Sequence, residues 1–162
     1  MNEDQHTTEL LKRALGLLAR REHCRSELAR KLARHATNPR DLDKVLDHCV
    51  AENWLNEVRY AAMLARNRAS AGWGPRRVEH ELKCAGLSET DIRAGLKDAD
   101  VDWYATAADW LVRRKPDLST EEARWKARGR LLQRGFTQDQ ADHALDVAEA
   151  LEKGDVPSHG RG

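Results

Sequence analysis

The chain has 162 residues, carries 28 Lys and Arg against 27 Asp and Glu, and is 34% charged, 40% apolar and 5% aromatic. That length suits one or two compact domains or a short repeat array, and with no run of about 18 apolar residues no membrane span is expected. The polar, acidic start from Met1 to His6 is not read as a secretory signal, and three cysteines without paired spacing exclude a disulfide scaffold and fit a reducing cytoplasm.

In chain order the apolar periodicity is helical. Leu11, Leu15 and Leu18 fall at i, i+4 and i+7. Asn38-Pro39 reads as an N-cap followed by proline at the first helical position, where its missing N–H costs nothing. Leu42, Val45, Leu46, Cys49 and Val50 then mark one helix face. Asn56 is placed to cap the next helix, Gly74-Pro75 repeats the cap-and-proline logic, and Gly86 and Ser88 close one helix and open another. Trp103, Ala107, Trp110 and Leu111 share a face, Gly135 and Thr137 end and start helices, and Ala141, Ala144, Leu145 and Ala148 form the last stripe. No alternating stretch suits a strand. The reading is an all-α chain of about nine helices, with a flexible tail over 154–162.

These signals recur with a period near 50: Leu28, Leu32, Leu42 and Leu46 shift onto Val78, Leu82, Ile92 and Leu96. A shift of 49 carries Leu82, Gly86, Ser88 and Leu96 onto Leu131, Gly135, Thr137 and Leu145. Apolar positions and caps move together, so the expected organisation is three tandem three-helix repeats, 8–53, 54–100 and 101–153. Each is too small to bury much apolar area alone, which predicts an elongated, curved array. The first two helices of a unit tend to be basic, as in 12–34 and 113–134, and the third acidic, as in 139–155. Such strips either neutralise one another or give a partner two-signed complementarity.

Gly72-Trp73-Gly74-Pro75-Arg76-Arg77 stands out locally. It lacks a preceding strand and the third glycine of a dinucleotide loop, and it lacks the Gly-Lys-Ser/Thr of a phosphate loop. Two arginines in a first helical turn oppose the helix dipole, at about 0.3–1 kcal/mol each when exposed. They either point to water or meet an acidic group. Trp73 either anchors its loop or contacts a partner. His80 and Cys84 share a helix face but have no second pair, so no metal site is expected, and Cys24 has no evident resolving cysteine. No nucleophile elbow, zinc-protease or kinase signature occurs, and no cofactor or enzymatic activity is expected. The five tryptophans are expected to fill gaps between helices.

Two blocks carry a family resemblance. The first is Ala14-Leu15-Gly16-Leu17-Leu18-Ala19-Arg20-Arg21-Glu22-His23-Cys24-Arg25-Ser26-Glu27-Leu28, followed by Arg30-Lys31-Leu32. The second is Trp54-Leu55-Asn56-Glu57-Val58-Arg59-Tyr60-Ala61, continuing through Arg66-Asn67-Arg68 and Gly72-Trp73-Gly74-Pro75-Arg76-Arg77-Val78 to Glu81-Leu82. Over residues 10–150 the chain resembles RecX, the bacterial regulator of the RecA recombinase. It departs from the family pattern in Asn56-Glu57, where an acidic pair is usual, in Tyr60 for phenylalanine, and in Cys24 where serine is common.

The resemblance implies tandem three-helix repeats without catalysis, lying in the groove of the RecA–single-stranded DNA filament in the bacterial cytoplasm. It implies inhibition of filament extension, ATP hydrolysis and strand exchange, and so regulation of recombinational repair and the SOS response. Weak single- or double-stranded DNA binding is compatible with that role, no membrane is involved, and a monomer is expected. The residues expected to bind the partner are Arg20, Arg21, Arg66, Arg68, Trp73, Arg76 and Arg77. The alternative is a direct DNA-binding protein using helix-turn-helix-like repeats.

Overall fold

A computed structural model describes residues 2–154, and the tail expected over 154–162 lies, beyond Gly154, outside them. Among the described residues there are nine helices and no strand, so the fold is an all-α helical repeat. The helices are α1 (Glu3–Arg20), α2 (Arg25–Ala33), α3 (Pro39–Ala51), α4 (Glu57–Ser70), α5 (Pro75–Cys84), α6 (Glu89–Ala99), α7 (Trp103–Val112), α8 (Glu121–Gln133) and α9 (Gln138–Glu152).

The helix starts follow cap chemistry. The Asn38 side chain accepts from the Arg40 N–H at 2.9 Å, Asn56 from Arg59 at 3.0 Å, and Ser88 from Asp91 at 3.1 Å. Thr137 and Gln140 form a reciprocal capping box. Cys24 precedes α2 without a side-chain cap. There Glu57 Oε1 accepts the Arg25 N–H at 2.7 Å, so a carboxylate from α4 meets the positive end of α2. Burial pushes the Glu57 carboxyl up, and that hydrogen bond opposes the shift.

Four helices end alike. At Asn53, Gly72, Gly86 and Gly135 the backbone turns to positive φ. The next residue's N–H reaches back to a carbonyl five positions earlier, as in Trp73 to Arg68 at 2.9 Å and Phe136 to Leu131 at 3.2 Å. This closure satisfies carbonyls that the helix leaves unpaired.

The chain divides into two packed units: 1–63 with 82–99, and 64–81 with 100–162, as far as these are described. Helices α4 and α5 give residues to both. The first unit's core joins Leu10 and Ala14 of α1, Leu28 and Leu32 of α2, Val45, Leu46 and Cys49 of α3, and Leu55. The Leu11-Leu15-Leu18 stripe therefore flanks the real seam, which runs through Leu10 and Ala14, and Val50 faces solvent. Gly95 of α6 lies against Ala61 and Val58 of α4, where a Cβ would collide with the Ala61 methyl. The second unit's core joins α7, α8 and α9 around Trp110, Leu111, Leu131, Phe136 and Leu145. The expected burial of tryptophan holds for Trp110 but fails for Trp125, which is 72% exposed, and for Trp54.

Candidate functional site

The Gly72-Trp73-Gly74-Pro75 turn between α4 and α5 docks on the turn between α8 and α9, and the two exchange hydrogen bonds. The Gly74 N–H donates to the Arg134 carbonyl at 2.8 Å, and the Arg76 N–H to that of Gly135 at 2.9 Å. In return Arg134 Nε donates to the Gly72 carbonyl at 2.7 Å and its terminal nitrogen to that of Ala71 at 3.0 Å. Arg134 thus places positive charge on the carbonyl end of α4, where the helix dipole favours it. The N–H groups that open α5 are partly occupied by chain carbonyls, so they do not form the free anion cradle that an arginine pair after Gly-Pro suggests. Two glycines permit this contact. A Cβ at Gly74 would overlap the backbone of Gly135 and Phe136, and one at Gly135 would lie 2.7 Å from the Arg77 nitrogen.

Around this junction arginines and tryptophans alternate in a stack. The Arg77 and Arg134 guanidinium groups cover the Trp73 ring at 3.9 and 3.8 Å from its centroid. Arg134 also lies 5.0 Å from the Trp110 ring, and Arg114 covers that ring at 3.8 Å while donating to the Trp110 carbonyl at 2.7 Å. The order is therefore Arg77, Trp73, Arg134, Trp110, Arg114. Each contact contributes about 0.5–2 kcal/mol, rising with desolvation. None of the three arginines has a carboxylate ion-pair partner among the described residues. Burial first, then the charges of Arg114 and Arg77, push Arg134 below its ordinary range. The buried Trp110 Nε1 finds no hydrogen-bond acceptor among the described residues.

The expected partner-binding residues fall into three situations. Trp73 and Arg77 belong to the stack, and Arg76 beside them is exposed. Arg68 grips Glu81 with Nε at 2.8 Å and a terminal nitrogen at 3.3 Å, while Arg66, exposed on α4, is also engaged. In the first unit Arg21 grips Glu27 through two contacts of 2.9 and 2.7 Å, which raises the arginine's pKa and lowers the carboxyl's. Arg20 next to it is exposed with no ion-pair partner among the described residues. Arg20 and Arg76 thus keep exposed guanidinium groups, whereas Arg21, Arg68 and Arg77 already have contacts within the chain.

Sequence reading missed Arg134 and Arg114. The shift of 49 that brings Gly86 onto Gly135 marks the turn beside Arg134, but no periodicity reports a contact with a turn more than 60 residues away. His23 is buried beside the Arg21–Glu27 pair. Its Nδ1 lies 3.0 Å from the Arg21 carbonyl and its Nε2 lies 2.9 Å from Lys31 Nζ. That geometry suits a neutral ring donating through Nδ1 and accepting at Nε2, and burial pushes its pKa down accordingly. Among the described residues no His, Cys, Asp and Glu group is arranged to hold a metal ion, and no helix is long and apolar enough to cross a membrane.

Comparison with known proteins matches residues 11–49 to the family pattern described as RecX, first three-helix domain, and residues 56–96 to RecX, second three-helix domain. The chain is similar to "Regulatory protein RecX" of Halorhodospira halophila, with 40% identity over 138 residues, covering 84% of this chain and 86% of that one. It is similar to the protein of the same name from Xanthomonas campestris pv. campestris, with 40% identity over 129 residues and coverage of 78% and 79%. The crystal structure of RecX from Lactobacillus salivarius shares the fold with a TM-score of 0.74 at 19% identity, covering 90% of this chain and 98% of that one.

Proposed function

The chain belongs to the RecX family of regulatory proteins, and from that membership we infer that it modulates the RecA recombinase without catalysing a reaction itself. It binds the groove of the RecA–single-stranded DNA filament and inhibits filament extension, ATP hydrolysis and strand exchange, and so restrains recombinational repair and the SOS response in the bacterial cytoplasm. The likeness to RecX regulators over most of the chain carries this reading. Its organisation as three units, 8–53, 54–100 and 101–153, belongs to the same proposal. Several weak contacts on one polymer add through high effective concentration, so no single unit need bind tightly. Arg20 and Arg76 are the contact residues, because their guanidinium groups are exposed. Arg21, Arg66, Arg68, Trp73 and Arg77 support that surface.

Direct DNA binding is a second reading, favoured by the stacked Arg77, Arg114 and Arg134, which lack carboxylate partners among the described residues. One assay separates the two. DNA-dependent ATP hydrolysis by RecA is followed with substoichiometric amounts of this protein at about 0.15 M salt, which suppresses nonspecific phosphate contacts. The first reading expects clear inhibition. Unchanged hydrolysis, together with tight DNA binding in the absence of RecA, favours the second.

A further inference from the structure

On α1, Arg13, Gly16, Leu17 and Arg20 follow one another at i, i+3, i+4 and i+7, so they share one straight face. That face and the end of α2, with Lys31, Arg34 and His35, line an open groove of about 420 Å³. No carboxylate lines it. Arg13, Arg20 and Arg34 have no ion-pair partner among the described residues, and Lys31 turns to Glu27 and His23. Desolvation, then the charges of Arg13 and Arg34, push His35 below its ordinary pKa. The groove therefore concentrates positive charge in a chain whose formal net charge is only +1.

Gly16 shapes the floor of the groove. Glycine weakens the middle of a helix relative to alanine. At Gly95 that cost has a cause in the chain itself, the contact with Ala61, whereas Gly129 of α8, like Gly16, has open space around it. At Gly16 an added Cβ would meet nothing within 4 Å. No contact within the described residues requires glycine there, and its absent side chain leaves the groove floor open between two arginines.

We propose that this groove receives an acidic amphipathic helix from a partner protein. Arg13 and Arg20 lie two turns apart, about 10 Å along the axis. A docked helix with carboxylates two turns apart meets both, and a small or aliphatic residue between them packs over Gly16 and against Leu17. Bare Gly16 permits the close approach of a second backbone that helix-in-groove recognition uses. A nucleic-acid strand fits less well, since His35 is the single aromatic ring among the lining residues and successive bases would have no row of rings to stack on.

The test needs no RecA, so its failure leaves the family-based reading standing. The probe is a fluorescein-labelled synthetic helical peptide of about 20 residues. One face carries Glu at every seventh position with Ala and Leu between. Fluorescence anisotropy is read at about 0.15 M salt. Native protein binds the peptide, and Arg13→Glu with Arg20→Glu weakens binding by at least about tenfold. Gly16→Leu fills the floor and abolishes binding without lowering the melting temperature. Absence of peptide binding, or binding indifferent to these substitutions, overturns the proposal. So does a thymidine oligonucleotide of about 20 nucleotides that binds in the peptide's place and is lost in the same variants.

Discussion

Both units pair arginines with carboxylates, but among the described residues the stacking of arginines on indole rings falls in the second. In the first, arginines meet carboxylates: Arg21 with Glu27, Arg59 with Glu22 and Arg25 with Asp47. In the second, beside pairs such as Arg124 with Glu149 and Arg128 with Asp142, Arg77, Arg134 and Arg114 meet indole faces and helix-end carbonyls. Both arrangements hold helix ends in place, since Arg59 also donates to the Asn53 carbonyl at 2.8 Å much as Arg134 donates to Gly72. They differ in what disturbs them. Ion pairs between half-exposed groups weaken with salt, whereas a stacked, partly desolvated guanidinium depends on shape and flatness. A count of charges along the chain does not separate an arginine that repels its neighbours from one that glues two turns together.

The comparison breaks most readily at its tightest contact. Gly74→Ala drives a methyl into the backbone of Gly135 and Phe136, which has no side-chain freedom to yield. The expected loss is about 3 kcal/mol, a fall in melting temperature of roughly 9 °C, read by calorimetry. Arg134→Ala follows, at about 2–3 kcal/mol, because it removes two charge-assisted hydrogen bonds and the central layer of the stack. Arg134→Lys recovers only part of that loss, since an ammonium keeps the charge but not the plane. Equal stability of the Lys variant and the native protein would mean that charge alone matters there.

Arg21→Ala is the matching cut in the first unit, with an expected loss of about 1 kcal/mol given the half-exposed arginine. In 1 M salt that loss shrinks, while the Arg134→Ala loss persists. Identical salt responses would erase the distinction between the two regions. The smallest effect is a pH dependence. Buried His23 has its pKa lowered from 6.5, so as pH falls below 6.5 the unfolded chain takes the proton first and stability declines. Above 6.5 this contribution is fully present. Glu27, lowered from 4.5 by Arg21, acts in a separate window below 4.5. His23→Gln reduces the slope in the upper window, where His35 also contributes, in urea melts recorded between pH 7.5 and 5, and leaves the lower window as it is; an unchanged slope would show that the ring's protonation is not resisted.

Much of the fold is legible in the sequence because helix ends are local chemistry. Asn38, Asn56, Ser88 and Thr137 cap the helices they precede, and Gly86 and Gly135 adopt the positive φ that ends a helix. Apolar spacing located the helices but placed the α1 seam one residue late, because neighbouring leucines leave the face ambiguous. Cys24 lacks a serine's capping oxygen, and the compensation comes from Glu57, 33 positions on, where no local rule points. The arginines expected to meet a partner stand out in the sequence by their charge alone. Which of them are occupied depends on contacts such as Arg68 with Glu81 or Arg77 over Trp73, and those exist only once the turns have met.

The division between holding and binding arginines is tested most directly by one variant, Arg20→Ala with Arg76→Ala, read for both inhibition of RecA ATP hydrolysis and thermal unfolding. Both guanidinium groups are exposed, so the melting temperature should move by no more than about 2 °C, while the concentration needed for half-inhibition rises about tenfold or more. Undiminished inhibition, or a melting temperature that collapses, would contradict the account.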